Sequence, residues 1–527
     1  MKKIAFIFPG QGSQTIGMGK DFFGNSDIAK DMISKASARL GIDFEKLLFE
    51  ENENIGKTEF TQPAILLVSS IANAIFKEKY NIKPEFVLGH SLGEFSALVA
   101  AGALDYLDAI ELVHKRGLFM TEACAGGGAG MMALVGIDDA TVEKVCAEQR
   151  ELGKQVWPAN YNMDGQLVLA GIKADLESLV EVFKAAGAKR AIVLDMSVAS
   201  HCELLKSAVE SLKPYLEKFL KDEFMPVISN VSTQAYSSKD EAIELLSSQL
   251  TSPVKYKQSI KACEEKVDLF IEFGNGIVLK GLNKKITDKP TSNVSDMKTL
   301  AIMGAMEEEI EPLLAHFENV NVVEFANNKY YEVLYNGLNI VIAYSKIGKV
   351  FASLTAATMI EKFGCDILLF SGVAGGINPK LQIGDLIIAD KLCQHDLDIT
   401  AFGHPNGYVP GGKVFVETTK SLREVAIKVA NENNLKVIEG TIATGDQFVH
   451  SSQRKNFIET TFKADALEME GASVAVVCDA LNVPFFILRA ISDSADMDAG
   501  FDFDEFLKSS AKNSADYLVK IIKELIK

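Results

Sequence analysis

Gly-His-Ser-Leu-Gly at residues 89–93 decides the fold of the first half of this 527-residue chain. The apolar run 86–88 before it predicts a short buried strand, and residues 94–108 after it predict a buried helix. A G-x-S-x-G segment between a strand and a helix forms a nucleophile elbow, which exposes the serine hydroxyl and points the next backbone N–H at a developing oxyanion. A serine that only caps a buried helix is the alternative. The elbow predicts an α/β fold with Ser91 as a nucleophile.

The composition is that of a globular protein with more than one domain. The chain is too long for one hydrophobic core, and 48% of its residues are hydrophobic. A net charge of −17 disfavours nucleic acid as the main partner, because a phosphate backbone requires a basic face. Seven scattered cysteines without a C-x-x-C pair predict free thiols and no metal site. We find no secretory or membrane-spanning pattern, so we expect a cytoplasmic protein without a membrane partner.

The character of the sequence changes near residue 288. Residues 288–296 are polar, contain a proline and lack a hydrophobic period, which predicts a linker over 288–297. A second buried strand and glycine turn then follow, as at the start of the chain. Short apolar strands alternate with amphipathic helices in both halves, which is typical of α/β proteins. We therefore expect two fused α/β domains, residues 1–287 and 298–527, with a small α+β subdomain at about 126–195.

The apolar runs predict individual strands in each half. Those of the first half are expected at 4–8, 86–88, 131–135, 167–171, 191–194 and 269–272, with a helix at 141–150. Those of the second half are expected at 300–303, 338–344, 367–371, 385–391, 440–444 and 485–491, in one large mixed sheet. A helix over 509–527 ends the chain.

Three further side chains of the first half suit the chemistry of an activated serine. Gln11 lies in the glycine loop after the first strand, where it can order an oxyanion site near Ser91. Arg116 can bind a carboxylate through its planar fork, and His201 is a candidate base for the serine. Taken singly, the arginine could be a solvated charge and the histidine structural. His90 should point away from the serine, so we interpret it as a packing residue.

Together these segments resemble the malonyl-CoA:acyl-carrier-protein transacylases of fatty acid synthesis, over residues 1–287. The resemblance rests on FPGQGSQ (8–14), TQPAI (61–65), GHSLGE (89–94), KRG (115–117), ANYNMDGQLVLAG (159–171), SVASHCELL (197–205), SQLTSPV (248–254) and FGNGIVLKGL (273–282). It implies an α/β-hydrolase-like acyltransferase core with a ferredoxin-like small subdomain. It also implies malonyl-CoA and acyl carrier protein as partners, and no cofactor.

The same resemblance implies a role for each matching residue. Ser91 would be the acylated nucleophile and His201 its base, without an acidic third member. Arg116 would bind the malonyl carboxylate. The other implied binding residues are Gln11 and Leu92, for the oxyanion hole, and Gln249, whose main-chain carbonyl would orient the histidine.

Three carboxylates of the second half lie in contexts suited to cleavage of an N-glycosidic bond. This reaction needs an acid for the leaving base, a carboxylate that activates water and a group that binds the sugar. Glu309 follows the first strand of this half, Glu470 lies in the segment ALEMEG, and Asp493 follows another strand. Helix N-terminal charge or a solvated face is the alternative for any one of them. The loop 372–376, GVAGG, suits a flat purine.

These segments resemble the nucleoside phosphorylase/hydrolase superfamily over residues 298–527, and specifically the 5′-methylthioadenosine/S-adenosylhomocysteine nucleosidases. The segments whose sequences look closest to the ε-proteobacterial branch are SKIGKV (345–350), SGVAGGI (371–377), FGHPNGYVP (402–410), GDQFVHS (445–451), LEMEGASVAVVC (467–478) and RAISDSAD (489–496). Members of that branch also cleave 6-amino-6-deoxyfutalosine in the menaquinone pathway. The resemblance implies adenine nucleosides as substrates and a homodimer whose partner completes the pocket through the region of His404.

The nucleosidase resemblance also assigns roles by position. Glu309 would activate the water, Asp493 would protonate adenine N7, and Glu470 would bind the ribose hydroxyls. The other implied binding residues are Met306 and Met469 at the sugar, Phe448 and Val449 at adenine, Ile347 and Phe503 at the 5′ substituent, and Val373, Ala374, Gly375, Glu468 and Ser492 around them.

Phosphorolysis is the alternative to hydrolysis in the second half, and one silent half is the alternative to a bifunctional enzyme. Phosphorolysis needs a cationic site for phosphate, which Glu309 would repel by Coulomb interaction, so we expect hydrolysis. One half could also be a silent dimerisation or scaffold module. A decayed site would be expected to lose a catalytic residue, and both halves retain theirs. The sequence therefore predicts two activities.

Overall fold

The computed structural model describes residues 3–80, 82–126, 128–196, 198–294, 298–335, 337–494 and 499–525, and of residues 25 and 499–505 the backbone only. The chain forms two compact units, Met1–Met297 and Lys298–Lys527. Each unit contains ten of the described strands, arranged as the α/β class requires. The predicted fold class is confirmed.

The first unit has two sheets. Its strands are β1 (Ile4–Phe8), β2 (Phe86–Gly89), β3 (Ala129–Val135), β4 (Val156–Met163), β5 (Gln166–Ile172), β6 (Arg190–Val193), β7 (Glu223–Ile228), β8 (Ala235–Ser238), β9 (Leu269–Glu272) and β10 (Thr291–Asn293). Its helices are α1 (Lys20–Asn25), α2 (Asp27–Leu40), α3 (Phe44–Phe49), α4 (Thr58–Lys79), α5 (Gly93–Ala101), α6 (Tyr106–Ala123), α7 (Asp139–Glu151), α8 (Lys173–Ala185), α9 (Lys206–Phe219), α10 (Lys239–Gln249), α11 (Tyr256–Cys263) and α12 (Val278–Ile286).

The larger sheet of this unit carries the elbow. Its order is β10-β9-β1-β2-β7-β8, parallel except for the β7–β8 pair. The elbow follows β2, so its serine lies at the carboxyl edge where ligand crevices form. The smaller sheet, β4-β5-β3-β6, is antiparallel and packs α7 and α8 in a β-α-β-β-α-β order, which is the ferredoxin-like arrangement.

Two boundaries of the first unit differ from prediction. The helix expected over 94–108 ends at Ala101, because Gly102 adopts a left-handed conformation (φ 84°) and Asp105 then caps α6. The linker expected over 288–297 is wrong at 291–293, which form β10 beside β9. This strand is short and polar, so it has no hydrophobic period, and the buried Asn293 bonds instead to the carbonyl of Gly276.

Helix α4 is the one helix among the described residues that is long and apolar enough to cross a membrane. However, 78% of its most apolar window is buried inside the first unit. Its apolar length therefore supplies core contacts, in agreement with the prediction of a globular protein.

The second unit is a single mixed sheet between two helical layers. Its strands are β11 (Thr299–Gly304), β12 (Asn321–Phe325), β13 (Asn328–Tyr335), β14 (Leu338–Tyr344), β15 (Ile367–Gly376), β16 (Leu386–Gln394), β17 (Val416–Glu417), β18 (Val437–Thr444), β19 (Ala466–Glu468) and β20 (Phe485–Asp493). Its helices are α13 (Glu307–Leu314), α14 (Lys349–Glu361), α15 (Lys420–Glu432), α16 (Ser452–Phe462), α17 (Gly471–Leu481) and α18 (Ala499–Leu525).

The register of this sheet brings distant segments to one edge. The order is β12-β13-β14-β11-β15-β19-β18-β16-β17, and β20 pairs with both β15 and β16. Helices α14 and α17 pack on one face, and α13, α15 and α18 on the other. An irregularity after Ala374 places Gly375 opposite Asp493, so two predicted site segments meet where their strands end.

Candidate active sites

The elbow has the backbone geometry that a nucleophilic serine requires. Ser91 adopts a left-handed conformation, with φ 52°. A Cβ atom on Gly89 would lie 1.9 Å from the backbone carbon of Gly93, and one on Gly93 would lie 2.0 Å from the carbonyl oxygen of Phe8. Glycine is therefore required at both flanks. The side chain of Asn230 holds the turn, since it accepts from Ser91 N (2.7 Å) and donates to the carbonyl of Gly89 (2.7 Å).

The serine hydroxyl lies against a neutral histidine. Ser91 Oγ is 2.7 Å from His201 Nε2, and His201 Nδ1 is 2.6 Å from the main-chain carbonyl oxygen of Gln249. A carbonyl only accepts, so Nδ1 carries the proton and Nε2 is free to accept from the serine. Burial and the charge of Arg116 lower the pKa of His201 to about 3. Among the described residues, no carboxylate bonds to this histidine.

Arg116 is a buried cation with spare donors. Its side chain is 2% exposed, and Nη1 and Nη2 donate to the amide oxygens of Gln62 (2.9 Å) and Gln249 (3.0 Å). Its Nε has no hydrogen-bond partner among the described residues. Burial lowers the pKa of Arg116 to about 10, which leaves it charged at neutral pH. A buried guanidinium with unused N–H groups is suited to a ligand carboxylate.

The loop that carries Gln11 packs against the elbow. A Cβ atom on Gly10 would lie 2.2 Å from the carbonyl oxygen of His90, so the two turns touch. Gln11 Nε2 donates to Thr58 Oγ1 (3.3 Å), and Leu92 immediately precedes α5. Their oxyanion role stays a prediction. His90 Nε2 contacts Asn162 Oδ1 (2.8 Å) rather than the serine.

Sequence reasoning missed a buried carboxylate below the elbow. Glu94 is 1% exposed and accepts from Gln249 Nε2 (2.7 Å), Asn230 N (3.2 Å) and the hydroxyl of Tyr236 (2.9 Å). Burial raises the pKa of Glu94 to about 7. The sequence contained a sign of this role, because Glu94 is the sole charged residue in the apolar helix GEFSALVAA.

The second unit contains a cavity of about 290 Å³. It is lined by the predicted residues Met306, Glu309, Ile347, Val373, Ala374, Gly375, Phe448, Val449, Glu468, Met469, Glu470, Ser492 and Asp493. Ala305, Gln447 and Leu467, which were not predicted, also line it. The side chain of Phe503, predicted for the 5′ pocket, lies outside the described residues. The structure thus brings the other predicted residues of this half into one cavity.

Glu309 is held by the backbone at the floor of this cavity. Its Oε2 accepts from Ala305 N (2.5 Å) and Met306 N (3.1 Å), and its Oε1 accepts from Val373 N (3.0 Å). A Cβ atom on Gly372 would lie 2.6 Å from Oε1, so glycine at this position leaves room for the carboxylate beside the backbone. Burial raises the pKa of Glu309. A carboxyl group with a raised pKa is a stronger base once ionised.

Glu470 and Glu468 differ in their bonding. Glu470 Oε1 accepts from Gly348 N (2.8 Å), and burial together with the charge of Glu468 raises the pKa of Glu470. Both oxygens of Glu468 are engaged, one by the hydroxyl of Thr444 and the other by Arg489 Nη2 (2.7 Å) and by Glu470 N (3.1 Å). The predicted contact of Glu468 with substrate stays a prediction. The hydrogen bonds of Glu468 indicate that it holds the backbone of Glu470 in place.

Asp493 ends β20 inside the cavity. It is 3% exposed, and the hydroxyl of Ser492 donates to its Oδ2 (2.9 Å). Phe448 and Ile347, which line the same cavity, are 41% and 55% exposed, so they present apolar surface in the cavity that contains the carboxylates. No cluster of three or more metal-binding side chains occurs among the described residues. The site can therefore combine an acid, a second carboxylate for water and an apolar surface for a purine.

Known proteins match each unit separately. Residues 5–327 match the acyl transferase domain, and residues 299–523 match the phosphorylase superfamily. The overlap of the two matches falls in the second unit, which begins at Lys298.

Individual relatives agree with these matches. A malonyl CoA-acyl carrier protein transacylase of Bacillus subtilis is 45% identical over 58% of this chain and 99% of its own length. The crystal structure of the Helicobacter pylori malonyl-CoA:acyl carrier protein transacylase is 47% identical, with a TM-score of 0.54, over 56% of this chain and 95% of that one. An aminodeoxyfutalosine nucleosidase of Campylobacter jejuni is 56% identical over 44% of this chain and all of its own length. Both resemblances seen in the sequence are confirmed.

Proposed function

The chain belongs to the acyl transferase family in its first unit and to the phosphorylase superfamily in its second, and we propose that it catalyses malonyl transfer and nucleoside hydrolysis. It is a bifunctional enzyme. The observation that carries this conclusion is that each unit holds a complete set of reactive groups, the serine–histidine pair in one and the three carboxylates in the other. A silent scaffold would not need either set.

In the acyl transfer half, the serine attacks the thioester carbonyl of malonyl-CoA. Its proton passes to His201 Nε2, and Gln11 and the backbone N–H of Leu92 bind the oxyanion. The CoA thiol leaves with that proton, and a malonyl ester remains on Ser91. The thiol of acyl carrier protein then attacks this ester by the same steps in reverse.

In the nucleosidase half, Asp493 donates a proton to adenine N7 while the glycosidic bond breaks. Glu309 takes a proton from the attacking water, and Glu470 binds the ribose hydroxyls of the oxocarbenium-like state. The described residues that line the cavity include no lysine or arginine, so they offer no cationic group for phosphate. This charge distribution favours hydrolysis over phosphorolysis.

The nucleoside substrates are 5′-methylthioadenosine, S-adenosylhomocysteine and 6-amino-6-deoxyfutalosine. The identity to an aminodeoxyfutalosine nucleosidase supports the last of these. Such activities would place the enzyme in methionine salvage and menaquinone synthesis, in the cytoplasm. The test measures adenine release from each nucleoside and malonyl transfer by the same preparation. A preparation that releases adenine from none of the three contradicts the proposal.

The proposed contact between Arg116 and the malonyl carboxylate can be tested separately. Arg116→Ala should lower the rate with malonyl-CoA far more than with acetyl-CoA, because only malonyl carries a free carboxylate. A carboxylate left unpaired in a buried site costs about 3–5 kcal/mol, so the ratio of the two rates should fall by about 100-fold or more. Rates of both thioesters measured in parallel check this.

Arg39→Ala is the matched control. Arg39 contacts Asp108 and Glu111 of α6, the helix that carries Arg116, but it lies on the surface. Its variant should keep the wild-type ratio. Equal losses for both thioesters in Arg116→Ala would show that Arg116 has only a structural role.

The second unit presents an apolar face suited to a second copy of this chain. Val350, Phe351 and Leu354 are exposed by 77%, 46% and 48% and follow helical spacing on one side of α14, and Ile347, two residues before this helix begins, is 55% exposed. Ile347 also lines the cavity, so a partner on this face would border the substrate. We infer a homodimer through this face, with the segment of His404 contributing to the partner's pocket.

Val350→Glu should convert the dimer to a monomer, because it places a charge in the centre of the apolar face. Light scattering measures the mass. Val322→Glu is the control, since Val322 is 49% exposed on β12, outside this face. A monomeric wild-type chain would contradict the proposed dimer.

A further inference from the structure

A buried hydrogen-bond network connects the elbow to His201 and to Arg116, and Glu94 lies at its centre. We propose that Glu94 is a positioning residue for acyl transfer, whose ionised carboxylate fixes the side chain of Gln249. Gln249 in turn holds the base and the arginine that binds the acyl carboxylate. This inference rests on the acyl transfer proposed above, and it adds a group that touches neither substrate nor the reacting atoms.

Gln249 is the common contact of the site. It ends α10 and is fully buried. Its main-chain carbonyl accepts from His201 Nδ1, while its side-chain Oε1 accepts from Arg116 Nη2 (3.0 Å). Its Nε2 donates to Glu94 Oε2 (2.7 Å) and to the carbonyl of Ser91 (3.2 Å). Gln249 therefore sets the position of both His201 and Arg116.

The two charged neighbours determine which way this amide points. A guanidinium only donates, and an ionised carboxylate only accepts. With its oxygen towards Arg116 and its nitrogen towards Glu94, the amide satisfies both. The reverse orientation would oppose two donors on one side and two acceptors on the other. The carboxylate thus selects a single arrangement of Gln249.

The surroundings of Glu94 require it to be ionised for this purpose. Its oxygens face three donors, namely the amide nitrogen of Gln249, the backbone N–H of Asn230 and the hydroxyl of Tyr236. A proton on the carboxyl group would place a fourth donor among them and remove an acceptor. Protonation would also take away the negative charge that faces Arg116.

The titratable groups of this network have pKa values that lie far apart. The groups that face Glu94 are Arg116 from α6 and Tyr236 from β8, and His201 faces it through Gln249. Burial raises the pKa of Glu94 to about 7, lowers that of His201 to about 3 and raises that of Tyr236 well above its usual value. Of these four groups, only Glu94 has a pKa near neutral pH. An acid limb of the acylation rate near pH 7 would therefore report Glu94 rather than the base.

The test is the rate at which Ser91 is acylated by malonyl-CoA in a single turnover, measured on the full chain from about pH 5 to about pH 9. The wild-type rate should fall about tenfold per pH unit below the pKa of the required group. Glu94→Gln keeps the shape of the side chain but is neutral at every pH. We expect it to be slower by about tenfold or more at about pH 8 and nearly independent of pH.

A second variant tests the same residue without removing it. Tyr236→Phe deletes one donor to the carboxylate, which favours the protonated form, so the acid limb should move to higher pH. Glu143→Gln is the matched control, because Glu143 accepts from the hydroxyl of Tyr161 (2.6 Å) in the small subdomain. Its pH profile should be that of the wild type.

A merely structural role predicts a different result. In that case the variants would melt at lower temperature, and their rates would be scaled equally at all pH values. An acid limb that stays in Glu94→Gln overturns the inference. If that variant does not fold, an unchanged limb in Tyr236→Phe overturns it instead. A wild-type chain that forms no malonyl ester at any pH contradicts the acyl transfer itself.

Discussion

Ser91→Ala should abolish malonyl transfer to acyl carrier protein, with a loss of at least about 10³-fold, because no other group at the elbow can form the acyl ester. Alanine and serine are both L-residues with a Cβ atom, so the left-handed backbone at this position (φ 52°) is equally tolerated by both. The turn should therefore keep its shape. Intact mass after incubation with malonyl-CoA checks for the covalent adduct.

Two controls separate this chemistry from a loss of fold. Adenine release by the same variant should equal that of the wild type, because the second unit contains its own site. Ser96→Ala should retain full transfer, since Ser96 lies inside α5, five residues after Ser91, and its buried hydroxyl has no hydrogen-bond partner among the described residues. A malonyl adduct that persists on Ser91→Ala would show that another residue is the nucleophile.

The elbow could be predicted because its requirements are local. Gly89 and Gly93 are needed at a spacing of four residues, and the strand before them is an uninterrupted apolar run. The strand and the turn of the elbow, which depend on this one segment, agree with the structure. The same holds for most of the apolar strands of the second unit, whose patterns are also local.

The groups that hold the elbow could not be found in the same way. Glu94 bonds to Asn230 and Tyr236, which are 136 and 142 residues away in the chain. No periodicity links such positions, and only the folded sheet brings them together. The charge of Glu94 in an apolar helix was a local sign of this network, but its partners had no sign of their own.

Short polar strands were missed for a related reason. β10 and β17 contain three and two residues, too few for an alternating pattern. The resemblance supplied the roles of the cavity residues in the second unit, and the residues alone supplied three candidate carboxylates. Neither could show that Glu468 is bonded to Arg489 and to the turn that presents Glu470.

Asp493→Asn should reduce adenine release by about 10²-fold or more with every nucleoside, because an amide cannot protonate adenine N7. Glu309→Gln should have a loss of similar size, because the attacking water loses its base. Both variants keep the size of the side chain, and Ser492 can still bond to the residue at 493. Initial rates of adenine release measure the two effects. Asp479→Asn is the control, since Asp479 is exposed on α17 and its carboxylate pairs with Lys413 at the surface.

Binding distinguishes a catalytic from a structural role of these two carboxylates. The apolar contacts of a nucleoside with Phe448 and Val449 do not depend on either acid, so both variants should still bind a non-cleavable adenosine analogue in calorimetry. Malonyl transfer should be unaffected in both. Near wild-type turnover in either variant would contradict the mechanism assigned to that residue. Loss of binding in both would show that the carboxylates shape the cavity, since Glu309 bonds to three backbone N–H groups of its floor.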